Sequence, residues 1–164
     1  MAAIDTLPAS IRDRIVFSPV EDVLLYLLRQ AFPDVTVRSL LPEKLESANY
    51  PFILARKSTS LGDWQGDPRF IDRGHFEIQV YTKDPDGDEL GALVSEAVRS
   101  ALHDAWQNHV TVPGKGTVLK ITLENEPHRA SDMQTSSGPV QYADLPTGVW
   151  RYESEYSISI RRPL

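Results

Sequence analysis

The segment from Trp150 to Arg161 constrains this chain more than any other. Trp150, Tyr152, Tyr156, Ile158 and Ile160 alternate there with Arg151, Glu153, Glu155, Ser157, Ser159 and Arg161. A period of two kept up over about a dozen residues puts large apolar groups on one side of an extended backbone and charges on the other. The pattern predicts a strand long enough to span a whole sheet, so the fold must supply a layer to cover its apolar side.

Two helical stripes can supply that layer. Val20, Val23, Leu24, Leu27, Leu28 and Ala31 recur at steps of three and four before Pro33 ends the run. Ser18, Pro19 and Glu21 ahead of them have the pattern of N-cap, first helical residue and N3 of a capping box. A second run holds Leu90, Leu93, Val94, Ala97, Val98, Ala101, Leu102 and Ala105 up to Trp106, with Glu96, Arg99 and Asp104 off that face. Asp86 and Glu89 before it have the spacing of a weaker capping pair.

Further strands are expected at Val35 to Leu41, Pro51 to Lys57, around Phe76, Ile78 and Val80, and around Leu119, Ile121 and Leu123. Strands outnumber helices, and neighbours follow one another as in hairpins. The economical architecture is α+β: a single domain over residues 1–164, with a mostly antiparallel mixed sheet and two helices packed on one face. The length of 164 residues fits one domain on the usual scale of roughly 100 to 200 residues.

Composition narrows the chemistry. A formal net charge of -6 opposes any role that depends on clustered Lys and Arg neutralising phosphates. Without cysteine there is no disulfide, thiolate metal site or thiol nucleophile. The four histidines, His75, His103, His109 and His128, include no pair four apart of the kind a helical zinc site uses. Asp84, Asp86, Asp88 and Glu89 mimic a calcium loop, but Gly87 stands fourth rather than sixth from Asp84 and Ser95 holds the twelfth place. No nucleophile elbow surrounds Ser60, Ser131 or Ser136, and no glycine-rich phosphate loop precedes a helix. Neither catalytic residues nor a cofactor or metal site can be named from the sequence. Met1 to Arg14 lacks the apolar run of a signal peptide, and no stretch approaches the roughly 18 apolar residues of a membrane span. A cytoplasmic chain without membrane contact is expected.

Two long loops remain, residues 58–73 and 126–148. The first carries Trp64 and Phe70 among Gly and Asp, the second Met133, Val140, Tyr142 and Leu145 among polar residues. Large apolar side chains in such loops need cover, from their own domain or from another subunit, and these six are the interface candidates.

Three passages then carry a likeness: the helix from Ser18 to Phe32, "PFILARK" at 51–57, and "GHFEIQVYTKDPDGDELGALVSEAVRSAL" at 74–102, which is a strand, an acidic turn and a long helix in direct succession. In this order of elements the chain resembles the tail terminator (tail completion, head–tail joining) proteins of long-tailed bacteriophages. The resemblance implies a structural, non-enzymatic virion protein at the head–tail junction, made in the bacterial host cytoplasm. It implies a homohexameric ring that caps the tail tube protein, ends tail polymerisation and receives the head connector or neck protein. DNA would pass through the ring lumen without specific binding. The 126–148 loop is longer than that family leads one to expect. Two alternatives stand beside this reading: another connector subunit of neck or stopper type, and a small enzyme with a site between the long loops.

Overall fold

The computed structural model describes residues 6–15, 18–45, 48–58, 67, 69–130, 133–135, 138–140 and 145–163. Its elements are α1 (Ala9–Arg12), α2 (Val20–Ala31), β1 (Thr36–Arg38), β2 (Phe52–Lys57), β3 (Ile71–Lys83), α3 (Gly87–Gln107), β4 (Thr111–Val112), β5 (Gly116–Arg129), β6 (Met133–Thr135), β7 (Gly138–Val140) and β8 (Val149–Arg161). Six strands form one sheet in the order β1-β2-β3-β8-β5-β4, and β6 pairs with β7 apart from it. Only β1 and β2 run parallel; the other neighbours are antiparallel. The fold is the expected α+β domain with a mostly antiparallel mixed sheet.

The alternating segment is β8, and it lies in the middle of the sheet. Against β3 its register is unbroken, from Ile71 opposite Arg161 to Lys83 opposite Val149. Against β5 it shifts at three places, between Val118 and Lys120, Leu123 and Asn125, and Asn125 and His128. Such shifts bend and twist a strand, and they fall on the strand that borders only the two-residue β4. Past Thr117, no strand among the described residues pairs with the far side of β5.

One sheet face is dry. Ile53, Phe76, Ile78, Ile121, Tyr156, Ile158 and Ile160 project from it and form a single core with Val23, Leu24 and Leu28 of α2 and Val98 and Leu102 of α3. Each such residue, taken fully out of water, stabilises the fold by about 1.5–3 kcal/mol before entropy is counted. The sheet curls around α2. At one edge Arg29 donates to the Val37 carbonyl from Nη2 at 3.2 Å and Nε at 3.4 Å, and from the other side Lys115 reaches Asp22 at 2.9 Å. Beneath the far face Phe52, Leu54, Tyr81 and Val149 form a smaller cluster, with Leu45, Ala48, Tyr50 and Leu145 against it. Phe52 and Tyr81 stack there at 4.6 Å.

Several local expectations need correction. The Ser18 capping box does not form: Pro19 is the N-cap of α2 and no side chain caps it. The Ser18 carbonyl instead accepts from Arg162 Nη1 at 2.6 Å, and Glu21 accepts the Lys57 backbone N–H at 3.3 Å. Helix α3 starts at Gly87 with Asp86 as a left-handed N-cap that makes no side-chain bond. The neighbouring acids bind β8 instead: Trp150 Nε1 donates to Asp84 at 2.7 Å and the Tyr152 hydroxyl to Asp88 at 2.7 Å. The strand expected over residues 35–41 is paired only at Thr36–Arg38. Strands also intrude into both expected loops. β3 begins at Ile71, β5 extends to Arg129, and β6 and β7 form a hairpin.

The buried line of α3 is also narrower than its apolar residues suggest. It consists of Gly87, Gly91, Ser95, Val98, Leu102 and Ala105, while Leu90 is 43% and Leu93 60% exposed. Small residues four apart let the helix axis approach β3 and β8 closely, which turns the bulky leucines of the first two turns toward solvent.

Candidate functional site

Of the six loop residues named from sequence, Phe70 and Leu145 have described side chains, one exposed and the other packed on its own domain. Phe70 is exposed just before β3, beside exposed Ile71, with the Arg69 guanidinium 5.8 Å from its ring centre. Leu145 packs on the Phe52–Tyr81 cluster, so this side chain is covered by its own domain and serves the fold. Met133 and Val140 are opposed across the β6–β7 hairpin. Trp64 and Tyr142 lie outside the described residues.

Other side chains form more definite surfaces. Leu40 and Leu41, immediately after β1, are 78% and 46% exposed. They lie next to the three-residue strand that ends the sheet on that side. A cavity of about 410 Å³ opens there, lined by Thr36, Arg38, Pro42, Lys44 and Phe52 among others.

A second cavity, of about 350 Å³, lies toward the other edge, between the C-terminal half of α3 and β5. Its apolar wall comes from Leu102, Trp106, Ile121, Leu123 and Tyr156, and its rim carries Glu96, Arg99, Ser100, His103 and Asp104. The rim charges bind one another weakly, with Arg99 3.5 Å from Glu96 and both largely exposed. His103 meets the edge of Trp106 at 5.9 Å.

Tyr156 lines this second cavity; the residue is 2% exposed, and its hydroxyl is shut off from solvent. Ser154 donates to the Ile78 carbonyl at 3.4 Å. Burial pushes the Tyr156 pKa up; a hydrogen bond with Ser154 and then Arg99 act in the opposite direction, and Glu96 adds to the rise.

The sheet face opposite the helices is polar beyond the Phe52–Tyr81 cluster, and it carries several ion pairs and hydrogen bonds. Arg56 binds Glu77 at 3.1 Å, Arg151 binds Glu153 at 2.9 Å, and the Tyr81 hydroxyl donates to Gln79 at 2.8 Å. Toward β5, Arg73 donates to Ser157 at 3.1 Å and Ser157 to Glu124 at 2.7 Å. The histidines are dispersed. His75 faces Ser157 across the ladder, His109 Nδ1 lies 3.0 Å from the Val118 carbonyl, and His128 Nδ1 lies 2.9 Å from that of Glu126. Among the described residues, no helix is long and apolar enough to cross a membrane.

No family model matches this sequence, and no curated protein does. Among solved structures, one chain similar to it shares 10% of residues over 90% of this chain and 97% of its own, with a TM-score of 0.42. A likeness that weak carries no functional argument.

The exposed leucines and the Tyr156 cavity escaped the sequence reading for different reasons. Leu90 and Leu93 fit a helical stripe and Leu40 and Leu41 fit a strand, so the sequence pattern by itself does not mark them as exposed. The one available signal was the small-residue line Gly87, Gly91 and Ser95, which marks the sheet-facing side of α3. Nothing in the alternation of β8 indicates that a cavity opens beside Tyr156.

Proposed function

We propose that this chain is a structural subunit that assembles with copies of itself into a closed ring, and that the ring is a tail terminator of a long-tailed phage. It would cap the tail tube and join it to the head connector. The observation that carries the reading is the distribution of unspent apolar surface. The domain has a full core, yet Ile11 and Ile15, Leu40 and Leu41, Phe70 and Ile71, and Leu90 and Leu93 remain outside at four places along the chain. Scattered single apolar residues need no explanation, but adjacent pairs on several sides of a small domain suit a subunit with more than one neighbour.

The polar sheet face supports the same reading. Arg56 and Arg151 are held there by Glu77 and Glu153, and the chain as a whole is acidic, so such a surface attracts phosphates only weakly. A lumen built from it would let DNA slide. Sedimentation velocity and negative-stain imaging of the purified chain test the proposal directly. A single assembled species near six subunit masses, seen as rings, is expected. A monomer at every concentration, with no ring in the images, would overturn it.

A further inference from the structure

We infer that the cavity between α3 and β5 is the socket for a second copy of this chain, entered by that copy's Ser39–Pro42 segment. The inference rests on the ring reading above and names the contact that would close the ring.

The socket presents what such a segment needs. Leu102, Ile121 and Leu123 give an apolar floor, with the buried Tyr156 among its lining residues. At about 350 Å³ the space is more than twice the ~150 Å³ void that accepts a benzene ring, enough for two aliphatic side chains. Leu40 and Leu41 are two adjacent exposed aliphatic side chains of that combined size.

Position and charge agree with size. The segment follows β1 at one edge of the sheet, and the socket lies toward the opposite edge, beneath β5. Joining unlike edges is a heterologous contact, which generates rings when the rotation closes. At the β1 edge the Val37 carbonyl is already occupied by Arg29. Arg38 and Lys44 outnumber Glu43 around the leucines, whereas Glu96 and Asp104 outnumber Arg99 on the socket rim. Helix α3 ends at this rim with no basic residue in its last turn, so the negative end of its dipole adds to the attraction.

The absence of cysteine makes the test clean. Leu40→Cys and Ser100→Cys are made separately, and the two proteins are oxidised alone and mixed. Ser100 is exposed on the rim, and neither site is in the core. A disulfide that forms in the mixture and not in either protein alone, with the double variant linking into a covalent ring, is the expected result. Rings that assemble without this cross-link, or with Leu40→Cys joined to itself, would overturn the socket and leave the ring reading standing. Neither assembly nor cross-link would overturn both.

Discussion

Helix α3 is held against the sheet at Gly91, and replacing that glycine by alanine tests how tightly. An ideal Cβ at Gly91 would lie 2.5 Å and 2.7 Å from Cδ2 and Cε2 of Tyr152 and 3.2 Å from Thr82 Oγ1. Carbon atoms prefer about 3.5–4.0 Å, so the ring would have to retreat by about 1 Å. Tyr152 is tethered at its far end, where its hydroxyl donates to Asp88 at 2.7 Å beside Arg129. Overpacking of this kind costs about 1–3 kcal/mol. Alanine in a helix interior returns about 1 kcal/mol relative to glycine. The variant should therefore lose up to about 2 kcal/mol in the native background. With Tyr152→Ala in place the obstruction is gone, and the same substitution should stabilise by up to about 1 kcal/mol, with Thr82 yielding a few tenths of an ångström. The coupling between the two sites is then about 1–3 kcal/mol. Urea unfolding of the four proteins measures it through midpoints at constant slope. If Gly91→Ala stabilises equally in both backgrounds, α3 is not pressed against β8, and the outward turn of Leu90 and Leu93 needs another cause.

Leu24→Asp and Val98→Asp, at positions 0% and 1% exposed, should each lower stability by several kcal/mol through an unpaired buried charge, read by thermal unfolding. Leu90→Asp with Leu93→Asp should change subunit stability by no more than about 0.5 kcal/mol, because both side chains face solvent and acids suit a helix start; a large drop in melting temperature would show that they are core. Burial raises the pKa of Tyr81 and Tyr156 above the ordinary 10.0. Unfolded phenols therefore lose protons first, and stability present below pH 10 should fall as pH climbs toward the raised folded values. Stability curves against alkaline pH check this, and Tyr156→Phe should flatten the fall.

The parts of the fold legible in sequence were those set by a regular period. The alternation of β8 identified the central strand, and Val20, Val23, Leu24, Leu27 and Leu28 all reached the core from α2. Helix α3 was harder because its buried line is made by small residues. Counting apolar identity favours Leu90 and Leu93, whereas close approach to a sheet favours Gly87, Gly91 and Ser95. Capping failed at Ser18 and Asp86 for a tertiary reason: the groups near those helix starts bind Arg162, Lys57, Trp150 and Tyr152, partners far away in sequence. Leu145 looked unpartnered for the same reason, since the cluster that covers it gathers residues from β2, β3 and β8.

The central place of β8 bears on how the domain is made as well as how it stands. β3 and β5 touch no common strand except β8, which is synthesised after both. A nascent chain that has not yet reached residue 149 holds two long strands with nothing between them, and pairing β3 to β8 closes a span of about eighty residues, the kind of distant contact that slows folding. The sheet therefore cannot zip up during translation in the order of the sequence. It waits for its keystone, and a product that stops short of β8 leaves its apolar strands bare for chaperones and proteases, so the topology itself sorts chains that contain β8 from those that lack it.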